Sequence, residues 1–372
     1  MDTIQKRKVK VLVNALHAKS GGGATYAASM LPRLVQHNDL DVYIVVDSSA
    51  SKIIDDLHLS NVIKLAVPKG LVAMTLYEQI HLPRLARKLG VNVVFSLANY
   101  GPVFVRGGVL MLRNAMGVGF LDRRLSQQIY WMSVYAATLM SILTAKHVIA
   151  VSEFARQSGG RFIERLVARK NSIVHHGVHP LFQPMTASKE RQDYALCVSD
   201  IYVQKNFKRL LQAFAALKDR GVKINLKIAG AAVDADYAAA LQGTVSTLGL
   251  SEQVTFLGSV EPAKLLTLYN QCRMFVFPSL VETFGNPLAE AMACGAPVAC
   301  SNAAAMPEVA GDAAVYFDPL DVTSMADTLE NLYTNAVLRH DLSARSIIQG
   351  QKYSWDITAE KTVAVLKRVA GY

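Results

Sequence analysis

Two glutamates eight residues apart, Glu282 and Glu290 in VETFGNPLAEAMACGAP, bracket a Phe-Gly-Asn-Pro turn. Of all residues in the chain, their types and spacing suggest chemistry most directly. The order around them reads strand (FVFPS), turn (LVETFGNP) and helix (LAEAMACG). Pro287 suits a first helical position, Gly295 a stop, and Gly285 close approach of a ligand to the backbone. Open N–H groups at a helix start attract anions, so the turn is a candidate diphosphate cradle. Glu290, read as lying in the first turn of that helix, could accept two hydrogen bonds from a vicinal diol such as a ribose. Glu282 would then face whatever the phosphates carry. On spacing alone, a helix cap and a surface acid account for the pair equally well.

A companion signal lies nearly eighty residues earlier. In LCVSDIYVQKNFKRLL, Lys205 falls at a strand-to-helix loop with Asn206 as a candidate N-cap. A lysine there can neutralise a leaving diphosphate at the carboxyl edge of a sheet, where open α/β folds bind their ligands. Alone, it could equally be solvated. Three other patterns point elsewhere and are weaker. Asp234-Ala235-Asp236 has the DxD form of a metal–diphosphate site but precedes a helix and suits a cap. His175 and His179 have metal-ligand spacing only in a helix, and a strand followed by a turn reads as a hinge. Gly21-Gly22-Gly23 follows a strand, with Asp47 after the next one, but Tyr26 stands where a dinucleotide fingerprint needs glycine, which argues against an oxidoreductase.

The elements that must hold these residues read as strands alternating with amphipathic helices in both halves, the pattern of parallel sheets covered on both faces. The first-half strands are expected at 9–15, 42–47, 91–97, 108–112, 147–151 and 171–176. Those of the second half are expected at 194–199, 224–230, 254–258, 274–279, 297–301 and 313–318. The pattern breaks in the polar, Pro-containing stretch LFQPMTASKERQ, which suits a linker. This organisation implies residues 1–183 and 184–354 as two Rossmann-like domains, with 355–372 as a final helix crossing back to the first.

Bulk properties narrow the classes. A chain of 372 residues with 51% hydrophobic and 18% charged residues is globular and long enough for two cores. Cys197, Cys272, Cys294 and Cys300 lie in apolar segments without CxxC spacing, as reduced thiols of a cytoplasmic protein would. The basic start runs into a short strand rather than a signal peptide. The longest uncharged run, 129–145, reads as a buried or interface-lying helix rather than a membrane span. Charge is unevenly spread: residues 1–180 carry 22 Lys/Arg against 10 Asp/Glu, whereas 181–372 carry 17 against 19. The first half is therefore suited to an anionic membrane, a lipid phosphate or a nucleic acid, unless the charge is merely solvated surface. No RNP1, zinc-finger or KH pattern supports nucleic acid.

Taken together, SDIYVQKN and PSLVETFGNPLAEAMACGAPVACS resemble the retaining, nucleotide-sugar-dependent glycosyltransferases of the GT-B fold, family 4, also called glycosyl transferases group 1. The E-x7-E spacing of Glu282 and Glu290 is that group's hallmark. MPEVAGDAAVYFDP, the Gly-rich SGGGATYAASML, SIVHHGVHPLF and the terminal YSWDITAEKTVAVLKRV extend the resemblance over nearly the whole chain. It implies two Rossmann-like domains facing each other across a cleft. It also implies that Glu290 holds the nucleotide ribose, that Lys205 neutralises the diphosphate, and that Glu282 approaches the donor sugar. Backbone groups of Thr283, Phe284, Gly285 and Asn286 would contact sugar and phosphate with Leu288 close by, and Gly22 and Gly23 would match the first-domain loop that nears the phosphates. Two departures stand out. Ser199 and Asp200 occupy the region where many members have an arginine, and LMLRNAM offers Arg113 or Asn114 where many have a histidine.

The implied activity is sugar transfer from a nucleotide-sugar donor to a glycan or lipid-linked glycan acceptor, with no metal or other cofactor. The implied setting is bacterial surface polysaccharide or lipopolysaccharide assembly, in the cytoplasm and against an anionic inner membrane face. An epimerase of the same fold and a non-catalytic nucleotide-sugar binder are the alternatives.

Overall fold

A computed structural model of the protein describes residues 8–19, 21–50, 52–115, 125–185 and 191–372. The basic first seven residues and positions 186–190 of the polar stretch lie outside the described residues. The chain divides into two compact units, Met1–Gly177 with Trp355–Tyr372, and Val178–Ser354.

In unit 1 the elements run β1 (Val9–Asn14), α1 (Gly21–Gln36), β2 (Leu40–Asp47), α2 (Lys52–Asp55), β3 (Val62–Leu65), α3 (Leu71–Leu89), β4 (Val93–Ser96) and β5 (Gly108–Leu112). They continue with α4 (Leu125–Thr144), β6 (His147–Ala150), α5 (Glu153–Gln157), α6 (Gly160–Val167) and β7 (Asn171–Ile173). Among the described residues the sheet has seven parallel strands, ordered β3-β2-β1-β4-β5-β6-β7. Its central strands are buried on both faces because helices cover both.

Register fixes which helices share a face. Leu12 pairs with Val94, Val94 with Gly108, and Leu110 with Val148. Side chains alternate along a strand, so Leu12, Val94, Leu110 and Val148 point the same way. Leu12 and Val94 pack with Met74, Leu82 and Ala86 of α3, while Leu110 and Val148 pack with Ile142 of α4 and Ile163 of α6. Helices α3, α4 and α6 therefore cover one face. The helix α14 (Trp355–Ala370) belongs to this unit and packs on α1, β1, β4 and β6. The run expected as a buried or interface helix is α4, which buries Val134, Thr138, Ser141 and Ile142 along one stripe. No helix among the described residues is long and apolar enough to cross a membrane.

In unit 2 the elements run β8 (Gln192–Val198), α7 (Phe207–Asp219), β9 (Asn225–Ala229), α8 (Ala235–Thr247), β10 (Val254–Gly258), α9 (Pro262–Gln271) and β11 (Cys272–Phe277). After these come α10 (Asn286–Ala293), β12 (Val298–Ser301), α11 (Met306–Ala310), β13 (Ala314–Phe317), α12 (Val322–Thr334) and α13 (Ala336–Gly350). The six described strands are parallel, ordered β10-β9-β8-β11-β12-β13. All six second-half strands fall where the sequence places them. Asp234 caps α8 by accepting from the Tyr237 N–H at 3.1 Å. All four cysteines are free and buried.

Candidate functional site

The direction of the strand connections in unit 2 reverses between β8 and β11. Ligands of open α/β sheets bind at such a point, beyond the carboxyl ends of the strands. The loops leaving these two strands are tied together. The Leu280 N–H donates to the Gln204 carbonyl at 2.9 Å. Asn206, in the left-handed region at φ 61°, donates through Nδ2 to the carbonyls of Pro278 at 3.1 Å and Pro319 at 2.7 Å. Asn206 makes no side-chain cap on α7: these bonds turn its Nδ2 toward the two carbonyls, and its Oδ1 accepts instead from Arg209 Nη1 at 3.2 Å.

The tie brings Lys205 to Glu282, 77 residues away. The Lys205 ammonium donates to Glu282 Oε1, and the two side chains are 12% and 16% exposed. Ser279 Oγ donates to the same oxygen at 3.1 Å, and Lys205 Nζ lies 5.2 Å from the Tyr202 ring centre. Burial by itself would lower the Lys205 pKa, but the Glu282 carboxylate and Tyr202 more than reverse it and hold the amine above its usual range. Ala305 N–H reaches the Glu282 carbonyl at 3.2 Å, which fixes the backbone under the carboxylate.

Gly285 stands before α10 at φ 85° and ψ 65°. The positive φ favours glycine, and an added Cβ would in addition press on Phe277 Cε1 at 3.1 Å. Pro287 is the second residue of α10, and Gly295 ends the helix, its N–H bonded to the Met292 carbonyl at 2.8 Å. Phe284 and Leu288 are buried, so they offer a ligand backbone rather than side chains. Thr283 and Asn286 are half-buried at the rim.

Glu290 corrects one expectation. Because α10 opens at Asn286, Glu290 is its fifth residue and not in the first turn. The helix start does not set its charge; burial does. Glu290 Oε2 accepts from the fully buried Tyr269 hydroxyl of α9 at 3.0 Å. Burial pushes its pKa from 4.5 up to about 7, with the Tyr269 bond opposing.

Asp200, in the region expected to hold an arginine, accepts from the Ala231 N–H at 3.0 Å and so pins the loop after β9. Gly230 in that loop lies against Ser199, whose carbonyl oxygen would be 2.0 Å from an added Cβ.

Unit 1 has its own reversal point, between β1 and β4. Asn14 and Ser96, the last residues of these strands, meet there at 3.3 Å. Asn14 Nδ2 also donates to Glu78, which is fully buried on α3. Glu78 Oε2 lies 3.1 Å from His17 Nε2, and the other ring nitrogen of His17 lies 3.3 Å from the Tyr100 hydroxyl. Gly22 is exposed at the start of α1, whereas Gly23 is buried against Arg113, whose guanidinium nitrogens would be 2.4 Å from a Cβ. Burial lowers the Arg113 pKa, opposed by Tyr26 and Tyr100. Asn99 Oδ1 accepts from the N–H groups of both Arg113 and Asn114, at 2.9 and 3.0 Å, and so shapes that turn.

Residues 181–348 match the family model described as glycosyl transferases group 1. The second unit is a group 1 glycosyl transferase domain. The O-antigen chain mannosyltransferase B of Escherichia coli is 31% identical to the chain over 240 residues, which are 61% of this chain and 62% of that protein. The match thus spans about three fifths of that relative's length. The sucrose-phosphate synthase of Thermosynechococcus elongatus superposes with a TM-score of 0.77 at 15% identity, over 98% of this chain and 100% of that one. Anabaena HepE, solved in complex with UDP and glucose, does so with 0.76 at 16%, over 97% and 100%. The likeness establishes the fold as two parallel-sheet α/β units of GT-B type, as the resemblance implied.

In the group 1 domain, Lys205 and Glu282 are in direct contact, and the turn 283–286 leads from Glu282 into the helix that carries Glu290. Gly22, Gly23, Arg113 and Asn114 lie in unit 1. Sequence reasoning missed Tyr202, Tyr269 and Ser279 in the group 1 domain, and Asn14, His17, Glu78 and Asn99 in unit 1. Tyr269 is visible in the sequence only as one more apolar position in the period of PAKLLTLYNQ.

Proposed function

We propose that the protein transfers a sugar, with retention, from a nucleotide-sugar donor to a hydroxyl of a glycan or lipid-linked glycan. The setting is bacterial surface polysaccharide or lipopolysaccharide assembly, in the cytoplasm and in contact with an anionic membrane. The observation that carries this reading is the meeting of Lys205 and Glu282 at the β8–β11 reversal point of a group 1 domain, on the turn leading to Glu290. The O-antigen assignment of a 31% identical relative supports the setting and makes nucleotide-activated mannose the first donor to try.

In this reading Glu290 receives the ribose diol through the oxygen that Tyr269 leaves open. The backbone of Thr283, Phe284, Gly285 and Asn286 lines the sugar and phosphates, with Leu288 behind, and Gly22 and Gly23 supply a further backbone approach. Leaving of the nucleoside diphosphate develops negative charge that Lys205 and the N–H groups at the start of α10 stabilise as the sugar becomes oxocarbenium-like. A phosphate oxygen takes the proton of the acceptor hydroxyl as it attacks the face the diphosphate leaves. The acceptor docks on unit 1, where Arg113, Asn114 and His17 offer polar groups, His17 being held by the buried Glu78.

A thermal-shift screen of nucleotide sugars, repeated with Glu290→Ala, tests the reading. A hit that Glu290→Ala abolishes, followed by acceptor-dependent release of nucleoside diphosphate, is expected. Conversion of the donor to a different nucleotide sugar without release would point to an epimerase instead. Binding without any turnover on lipid-linked or glycan acceptors would point to a binder.

A further inference from the structure

Of the twenty large apolar side chains most exposed among the described residues, twelve lie on α3, α4, α6 and the loop before β5, on the same side of the unit 1 sheet. On α3, Val72, Leu76 and Ile80 are exposed at intervals of four, and the same stripe continues as Arg84 and Lys88. On α4, Leu125, Ile129, Met132 and Met140 face outward, opposite the buried stripe of Val134, Thr138 and Ile142. The whole of α4, LSQQIYWMSVYAATLMSILT, carries no charge. A solvent-facing helix of a globular protein normally places polar residues there. An apolar face this extended marks an interaction surface.

The surrounding charge selects the partner. On α6, Phe162 is exposed between Arg161 and Arg165. The three helices hold two acids. Glu78 is fully buried, and Glu164 accepts from Arg156 at 3.1 Å. The face is thus apolar in its middle, basic at its margins, and fringed by the exposed Tyr130 and Tyr135, a residue type that settles at membrane–water interfaces. We infer that α3, α4 and α6 form the surface by which the protein lies on a lipid bilayer with anionic headgroups, with α4 lying in the interface. This rests on the membrane contact proposed above and names the face that makes it.

A tryptophan on the outward stripe makes a direct test possible: Met132→Trp in a Trp131→Phe background leaves only Trp355, which is fully buried, as a second emitter. The intact protein is mixed with vesicles of phosphatidylethanolamine with a third phosphatidylglycerol, and separately with phosphatidylcholine vesicles. Flotation and tryptophan emission are then recorded at low and at physiological salt. Expected are flotation with the anionic vesicles, a blue shift of the introduced tryptophan in Met132→Trp/Trp131→Phe, and at least a tenfold loss of partition in Leu125→Glu/Met132→Glu. Arg161→Glu/Arg165→Glu should lose the preference for anionic over neutral lipid. Val337→Glu, at an exposed apolar position of unit 2, should leave both unchanged.

No flotation, no blue shift in Met132→Trp/Trp131→Phe, or equal loss in Val337→Glu would overturn the assignment. So would sedimentation showing that Leu125→Glu/Met132→Glu converts a dimer to a monomer that never floated, because the face would then bind a second copy. A nucleotide thermal shift on the same preparations separates the two readings. Flotation without a Glu290-dependent shift keeps the face and loses sugar transfer, and a shift without flotation does the reverse.

Discussion

Lys205 and Glu282 form a neutral, largely buried pair. An incoming diphosphate must therefore compete with Glu282 for the ammonium. Breaking a buried ion pair from one side typically costs about 3–5 kcal/mol, since the remaining charge is stranded. Glu282→Gln should then lower the melting temperature of the ligand-free protein yet tighten binding of UDP or GDP about three- to tenfold, because phosphate restores the lost partner. Isothermal titration reads the affinity, and weaker binding than wild type would mean that Glu282 positions Lys205 rather than competing for it.

Glu290 carries the second residue-scale prediction. Burial raises its pKa from 4.5 to about 7, so the folded state holds this proton more tightly than the unfolded chain. Its contribution to stability is full below pH 4.5 and is lost as pH rises to about 7. Glu290→Gln should flatten that part of the melting profile. A ribose diol needs the carboxylate as acceptor, so nucleotide binding should strengthen as pH rises through 7 and release a proton near pH 6.5. Titration calorimetry in two buffers of different ionisation enthalpy measures that proton. This pKa was not legible in the sequence, because it arises from the packing of α9 on α10 and a tyrosine 21 residues away.

At the scale of elements, the sequence was readable where burial dictated residue type. Twelve apolar runs became strands because parallel sheets bury both faces. The strand β3 was missed because it is a four-residue edge with Lys64 in it and no position fully buried. The role of Asn206 was misread for a related reason. A cap is a local pattern, whereas its bonds reach residues 72 and 113 positions away. Asn206→Ala would leave both carbonyls without this donor and place a Cβ-bearing residue of lower left-handed tolerance at φ 61°. A loss of about 2–4 kcal/mol is expected by urea denaturation, with nucleotide affinity falling in parallel as Lys205 and Glu282 come apart. Unchanged stability would mean that the Leu280–Gln204 bond and the β8–β11 pairing hold the two loops without Asn206.

For the whole molecule, the chain leaves unit 1 after Gly177 and re-enters it at Trp355, so the last sixteen helical residues complete a unit begun over three hundred residues earlier. Trp355 packs edge-on against Tyr26, Thr358 Oγ1 donates to the His175 carbonyl at 2.8 Å, and Arg33 holds Asp356 at 2.6 Å. Trp355, Val363, Val365 and Leu366 are all buried. Full burial of a large apolar side chain stabilises by about 1.5–3 kcal/mol, so these four contribute about 6–12 kcal/mol before entropy is counted, as large as the roughly 5–15 kcal/mol net stability of a whole domain. A chain stopped at Ser354 should therefore lose the fold of unit 1 while keeping that of unit 2, whose sheet and Lys205–Glu282–Glu290 residues are untouched. Limited proteolysis should then degrade residues 1–177 rapidly and leave a fragment near 178–354 that still gives the nucleotide-dependent thermal shift. Resistance of the first unit to protease would show that its core closes without α14. Loss of the shift from the surviving fragment would mean that unit 1 residues such as Gly22 and Gly23 contribute to donor binding as strongly as the group 1 domain does.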